Sequence, residues 1–194
     1  EATEKENPPT PVTELTYTII QNFIYGKCNP IETMKKETSK TIAAEEAANV
    51  TDLNTMIPDD MQKDFTDSAS NKYMYVPTKT EFSTTTLVKG TKINLYYYLD
   101  NWKDGSSVEE DNETGGDGIP DCDQVLIKYV SSNSDRGTVS PDMEVLTIRG
   151  SDKQPTNKGT VTASGSTATV TGSSRNYFSN WTDTTGKQVS TNAT

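Results

Sequence analysis

Histidine is absent from this sequence, cysteine occurs twice, and acidic residues outnumber basic ones by 28 to 18. Without histidine the chain has no Ser-His-Asp triad, no Cys-His pair and no imidazole ligand for a metal. The net charge of −10 argues against nucleic acid or an anionic membrane as a partner, because both require clustered lysine and arginine. No run of about 18 apolar residues occurs, so no segment is predicted to insert into a membrane.

Hydrophobic residues are also scarce, at 31% of the 194 positions. A chain of this length can form one domain or two small ones, and the low apolar share favours thin modules over one thick core. Threonine, whose β-branched side chain suits strands, is abundant. We therefore expect a hydrophilic protein that is mostly β.

The N-terminal part of the chain reads as a short linker followed by an α+β module. Residues 1–12 contain three prolines and no apolar periodicity, which predicts an extended linker. Helical spacing of apolar residues predicts one helix within 39–56. Alternating apolar residues predict strands at 13–25, 72–76, 81–88 and 92–99. This order predicts a small module over 13–100 whose helix covers one face of a sheet.

The C-terminal part reads as an acidic linker followed by a β-rich module. Residues 101–123 are dense in glycine and acidic side chains, which is typical of a linker. Residues 124–194 then contain short alternating runs without a helical pattern. The predicted strands are 124–130, 137–139, 143–148, 158–163, 167–171 and 188–190.

Short sequence motifs in both predicted modules resemble those of known repeat families. The first module contains T-Y-T-I-I-Q-N-F-I-Y-G and T-K-I-N-L-Y-Y-Y-L-D, and these resemble the mucin-binding-protein-type repeats of Gram-positive surface proteins. The second contains Y-F-S-N-W-T-D-T-T-G-K-Q-V, which is similar to internalin-type B-repeats. Between them, G-D-G-I-P-D-C-D-Q-V is similar to linkers that join such repeats. The segment 27–60 is longer than the first pattern usually allows.

The resemblance implies two β-grasp-like modules in tandem on a secreted protein attached to the cell surface or cell wall. It implies a non-enzymatic, adhesive or stalk-forming role, with a host glycan or an extracellular protein as partner. Since such repeats normally continue into one more strand, we expect a monomeric fragment of a longer chain. The alternatives are a carbohydrate-binding module and an accessory domain of a carboxylate-dependent glycoside hydrolase. No catalytic residue is assigned.

The D-G-I-P-D segment is the sharpest chemical candidate, because EF-hand-like loops use such spacing to hold calcium. The register assigns loop positions 5, 7, 9 and 12 to Asp117, the Ile119 carbonyl, Asp121 and Gln124. Positions 1 and 3 fall on Glu113 and Gly115, so several of the usual acids are weakened or lost. The pattern therefore favours a solvated turn rather than a calcium site. Such a turn keeps only the bend of the calcium loop.

The two cysteines, Cys28 and Cys122, lie far apart in the sequence. A disulfide between them would close a loop of about 94 residues and stabilise the protein by ~4 kcal/mol. Nothing local brings their Cα atoms within ~7 Å, so we expect two unpaired thiols. Similarly, Trp181 and Phe178 are expected to fill the small core of the second module rather than to stack on a sugar.

Overall fold

The structure is a computed structural model that describes residues 13–28, 31–105 and 116–193. The predicted linker at 1–12 lies outside the described residues, as does the middle of the acidic linker. Strands dominate the regular structure, which confirms the mostly β class with one helix. The elements are β1 (Glu14–Cys28), β2 (Ile31–Ala43), α1 (Ala44–Ala48), β3 (Phe65–Thr66), β4 (Lys72–Tyr75), β5 (Glu81–Phe82), β6 (Lys92–Leu99), β7 (Gln124–Lys128), β8 (Gly137–Ser140), β9 (Met143–Thr147), β10 (Thr167–Val170), β11 (Trp181–Thr182) and β12 (Gln188–Ser190).

The first six strands form one sheet with the order β2-β1-β6-β4-β3, in which β5 also pairs with β6. The β5–β6 pair is antiparallel and sets Phe82 opposite Ile93. The later strands form antiparallel two-stranded sheets, β7 with β9, β8 with β10, and β11 with β12. The β7–β9 pair begins with Gln124 opposite Thr147.

Residue contacts divide the chain into two compact units. The first unit takes its described residues from 13–24, 33–65 and 75–97, and the second from 25–28, 31–32, 66–74, 98–105 and 116–193. Each unit thus combines separate stretches of chain, whereas the predicted modules are continuous. The tandem β-grasp arrangement stays a prediction.

The first unit has an apolar core to which β1 and β6 contribute most. Phe23 stacks on Tyr97 with ring centroids 4.9 Å apart, and Phe65 lies 5.1 Å from Phe23. Tyr97 is fully buried, whereas its neighbours Tyr96 and Tyr98 are half-buried, as strand alternation predicts. The other fully buried apolar side chains of this unit are Ile19, Ile24, Ile93 and Leu95.

The second unit has a different interior, in which polar side chains predominate. Among its described residues the buried hydrophobic ones are Tyr73, Val145 and Ile148. The buried polar ones are Asp100, Asn101, Asp121, Gln124, Glu144 and Ser166. Because buried polar groups are costly unless hydrogen-bonded, this unit depends on the networks described below.

The helix predicted within 39–56 is much shorter than expected. Its first residues belong to β2, only Ala44–Ala48 is α-helical, and Leu53–Met56 forms a 3-10 turn. β2 pairs with β1 along the sheet, and β-branched residues such as Ile42 favour an extended backbone. Strand pairing therefore outweighs the helical spacing of small apolar residues in this stretch.

Candidate functional site

The candidate site lies in the second unit, where the chain leaves β6 and where it enters β7. It consists of three carboxylates and one amide, and we name it the acidic loop cluster: Asp100, Asp117, Asp121 and Gln124. The cluster includes three of the four residues that the sequence assigned to a calcium loop. Asp100, one residue beyond β6, was not among them.

Asp100 is 7% exposed and is held on both carboxylate oxygens. Its Oδ1 accepts a hydrogen bond from the backbone N–H of Asp117 (3.1 Å) and its Oδ2 from that of Gly118 (3.0 Å). Burial raises the pKa of this carboxyl from 3.8 to about 6, and the negative charges of Asp117 and Asp121 also raise it. The two hydrogen bonds act in the opposite direction without cancelling the shift.

Asp121 joins the two ends of the acidic stretch. It is 6% exposed, and its Oδ1 accepts from the backbone N–H groups of Asn101 and Trp102, each at 2.9 Å. Asp121 also begins a 3-10 turn that ends at Asp123 and leads directly into β7. One carboxylate oxygen thus anchors the exit of β6 to the entrance of β7.

Asp117 and Gln124 form the other part of the cluster. Asp117 Oδ1 accepts from the backbone N–H of Ile119 (3.0 Å), which shapes the bend, and its Oδ2 accepts from that of Asp104 (2.8 Å). The same Oδ2 accepts from Gln124 Nε2 at 2.9 Å. Gln124 is 5% exposed, and within the described ranges its buried Oε1 has no hydrogen-bond partner.

Two glycines are required by the shape of this loop. Gly118 has φ +79°, a conformation that side chains disfavour, so the predicted D-G bend is present. Gly116 faces Asp100 closely: a Cβ at position 116 would lie 1.8 Å from Oδ1 and 2.2 Å from the backbone oxygen of Asp100. No side chain fits there without a shift of the backbone.

The predicted calcium ligands are therefore brought together only in part. Asp117, Asp121 and Gln124 lie in one cluster. Ile119 contacts Asp117 through its backbone N–H, whereas the predicted ligand was its carbonyl oxygen. The first and third loop positions, Glu113 and Gly115, lie outside the described residues. Within the described ranges, no three acidic or cysteine side chains are already arranged to hold a metal ion.

Cys122, inside the 3-10 turn of the loop, is disulfide-bonded, and the described residues include no free cysteine. The expectation of unpaired thiols is therefore wrong. The other cysteine of the sequence is Cys28, whose side chain lies outside the described part of the structure. Sequence separation misled the prediction, because strand order rather than local spacing decides which distant residues meet.

A third buried carboxylate of this unit, Glu144, accepts several hydrogen bonds. Glu144 on β9 accepts from the hydroxyl of Tyr129 and from the backbone N–H groups of Ser164 and Gly165. Although burial alone raises the pKa of Glu144, these hydrogen bonds lower it below 4.5 overall. Burial and the Glu144 carboxylate together raise the pKa of Tyr129 to about 12. This network is structural, since it holds the 164–165 turn against β9.

The aromatic residues of the second unit form a small half-buried group. The Phe178 and Trp181 rings lie 5.6 Å apart, and Tyr129 meets Trp181 edge-on at 5.9 Å. Both Phe178 and Trp181 are half-buried. They are not among the buried apolar side chains described for this unit, so their role in its core stays a prediction.

Comparisons with known proteins give no match: no family model, no curated protein and no solved structure matches this chain. The resemblance to surface-protein repeats therefore depends on the sequence motifs alone. As for a membrane, no helix in the described part of the chain has the length and apolar character needed to cross one.

Proposed function

We propose that this chain is a non-enzymatic extracellular module of a bacterial cell-surface protein, with an adhesive or stalk-forming role. The observation on which the proposal depends most is the disulfide bond of Cys122. Disulfides form and persist in oxidising compartments and are rare in the cytosol. The low hydrophobic content and the mostly β architecture agree with a thin module of this kind.

The non-enzymatic part of the proposal is supported by the use that the chain makes of its buried acids. Asp100 and Asp121 accept hydrogen bonds from backbone N–H groups, and Glu144 accepts hydrogen bonds from donors of its own unit. A general acid or base needs a carboxyl that can reach a substrate proton. These carboxyls stabilise loops instead.

Binding measurements distinguish adhesion from spacing. The full chain is applied to an array of host glycans and to immobilised extracellular matrix proteins. Saturable binding with a micromolar dissociation constant would indicate an adhesin. No detectable binding to the glycans or to the matrix proteins would indicate a stalk. Release of reducing sugar from any glycan of the array would contradict the proposal, because it would demonstrate hydrolysis.

A carbohydrate-binding role is the second candidate, and a depression in the first unit favours it. This depression has a volume of about 490 Å³, which lies within the range of ligand sites. Its lining consists of hydroxyl-bearing, apolar and acidic residues: Thr51, Asp52, Leu53, Phe82, Ser83, Thr84 and Thr85. Hydroxyls beside an apolar ring are suited to the polar edges and apolar faces of a sugar.

This second candidate is tested by filling the depression. Thr85→Trp places a large side chain at an exposed lining position, and Thr78→Trp places the same side chain at an exposed position outside the lining. If the depression binds a glycan, Thr85→Trp abolishes array binding and Thr78→Trp does not. Equal binding by both variants would rule the depression out.

A further inference from the structure

The acidic loop cluster concentrates negative charge in a buried place. Asp100 and Asp121 are nearly fully buried, and Asp117 is close enough to influence the charge of Asp100. Burying carboxylates together is costly unless hydrogen-bond donors or a cation compensate their charge. Backbone N–H groups supply part of this compensation.

A second observation, independent of the carboxylates, points to a ligand. The side chain of Gln124 is nearly fully buried, and its Nε2 donates to Asp117, which places the amide group at the cluster. The other amide atom, Oε1, is buried and has no hydrogen-bond partner among the residues that the structure describes. Buried carbonyl oxygens almost always have a partner, since leaving one without any forfeits its hydration.

We propose that the acidic loop cluster binds one calcium ion. Carboxylate oxygens of Asp100 and Asp117 serve as ligands together with the amide oxygen of Gln124. The negative charge of Asp121 strengthens the attraction without requiring a further ligand from it. Asp100 thus replaces acids that the loop lacks at its usual early positions, a substitution that the linear motif does not reveal.

The donor set determines the kind of ion. All donors are oxygens of carboxylates and an amide, which hard cations prefer. A carboxylate has about four acceptor sites, and among the described residues Asp100 accepts two hydrogen bonds and Asp117 accepts three. Calcium tolerates irregular shells of about six to eight oxygens, whereas magnesium demands a nearly ideal octahedron. A bend held by its own backbone hydrogen bonds suits calcium better.

Binding also requires local rearrangement. Since no three described acidic side chains already form a metal shell, the carboxylates must turn toward the ion, and water completes the coordination. Such a site is expected to be weak, with a dissociation constant of about 10⁻⁴ to 10⁻³ M as in extracellular calcium modules.

The test is calorimetric titration of the full, chelator-treated chain with calcium chloride, repeated with magnesium chloride. We expect saturable one-site binding of calcium and at least about tenfold weaker binding after Asp117→Asn or Asp100→Asn. Asp142→Asn is the matched control, because it removes one exposed charge of the same unit outside the cluster, and it should leave affinity nearly unchanged. Circular dichroism of each variant verifies the fold.

Gln124→Glu supplies the sharpest readout. If Oε1 is a ligand, a carboxylate at this position destabilises the metal-free protein but binds calcium more tightly, so calcium raises the melting temperature more than in the unaltered chain. Absence of saturable heat up to about 10 mM calcium with the unaltered chain would overturn the proposal. So would calcium binding that neither Asp100→Asn nor Asp117→Asn weakens, or a Gln124→Glu variant that calcium does not stabilise. The result does not depend on whether the protein is an adhesin.

Discussion

Gly116 lies so close to Asp100 that a Cβ at position 116 would meet both the carboxylate and the backbone oxygen of that residue. A rotation of the Asp100 side chain relieves only one of these two clashes. We therefore expect Gly116→Ala to lower the free energy of unfolding by about 2–3 kcal/mol, the cost of overpacking a tight site. Urea unfolding measures the loss. The exposed substitution Ser151→Ala is the control and should change stability by less than about 0.5 kcal/mol.

A pH-dependent contribution to stability is expected from Glu144. Hydrogen bonds hold its folded-state pKa below 4.5, so its stabilising effect is present above that value and is lost as pH falls through the lowered pKa. The Glu144→Gln variant should therefore be less stable than the unaltered chain at pH 7. Its free energy of unfolding should also fall less on acidification. Chemical unfolding at pH 7 and in acid measures both effects. Equal acid sensitivity of the two proteins would contradict the assignment.

Tyr129 titrates in the opposite sense. Its pKa is raised from 10.0 to about 12, so its contribution to the stability of the fold is present below pH 10 and is lost as pH rises toward 12. Tyr129→Phe also deprives the Glu144 carboxylate of one donor, which costs about 1–3 kcal/mol at neutral pH. Tyr177→Phe is the matched control, because Tyr177 is 82% exposed and its hydroxyl should be dispensable. Similar losses in both variants would refute the network.

The hydroxyl of Tyr97 makes a comparable contribution in the first unit. It accepts from Gln21 Nε2 at 3.1 Å and donates to the backbone oxygen of Met61. Tyr97→Phe leaves the buried Gln21 amide and the Met61 oxygen without this partner and should cost about 1–3 kcal/mol. Tyr96→Phe, on the same strand, removes a hydrogen bond to Glu81 near the surface and should cost less than about 1 kcal/mol. Thermal and urea unfolding of the two variants provide the comparison.

The disulfide bond is the simplest feature to measure. Under non-reducing, denaturing conditions the chain should have a mass about 2 Da below that of the dithiol, because forming a disulfide removes two hydrogens. Reduction, or Cys122→Ser, should lower the free energy of unfolding by about 4 kcal/mol if the loop has about 94 residues. Alkylation before reduction should add no label. A fully labelled native chain would show that the thiols are free.

The sequence was most informative where the pattern is local. Alternation alone predicts β6 at its observed bounds, with Tyr97 on the opposite face from Tyr96 and Tyr98. It failed at 39–56, where pairing with β1 extends β2 to Ala43. It also failed at 158–163, where Thr and Val favour a strand but none is present. Propensity cannot indicate whether a pairing partner is available at a given position.

The candidate site shows the same limit. The D-G-I-P-D motif identified Asp117, Asp121 and Gln124, because their spacing is set by one short bend. Asp100 was missed, since its burial and its bonds to the loop depend on contacts across 17 and 18 residues. Its position directly after a predicted strand, in Y-Y-Y-L-D, was the one available signal. The disulfide was missed for the same reason.

A disulfide of Cys122 with Cys28, the other cysteine of the sequence, would also limit how far the chain can be stretched. A pulling force applied at the two termini would pass through the sulfur bridge, so the intervening residues would bear no tension. At about 3.4 Å per extended residue, roughly 300 Å of backbone would remain unavailable for extension. A surface protein built from such segments would resist shear as a short tether and would lengthen only where its bridges had been reduced.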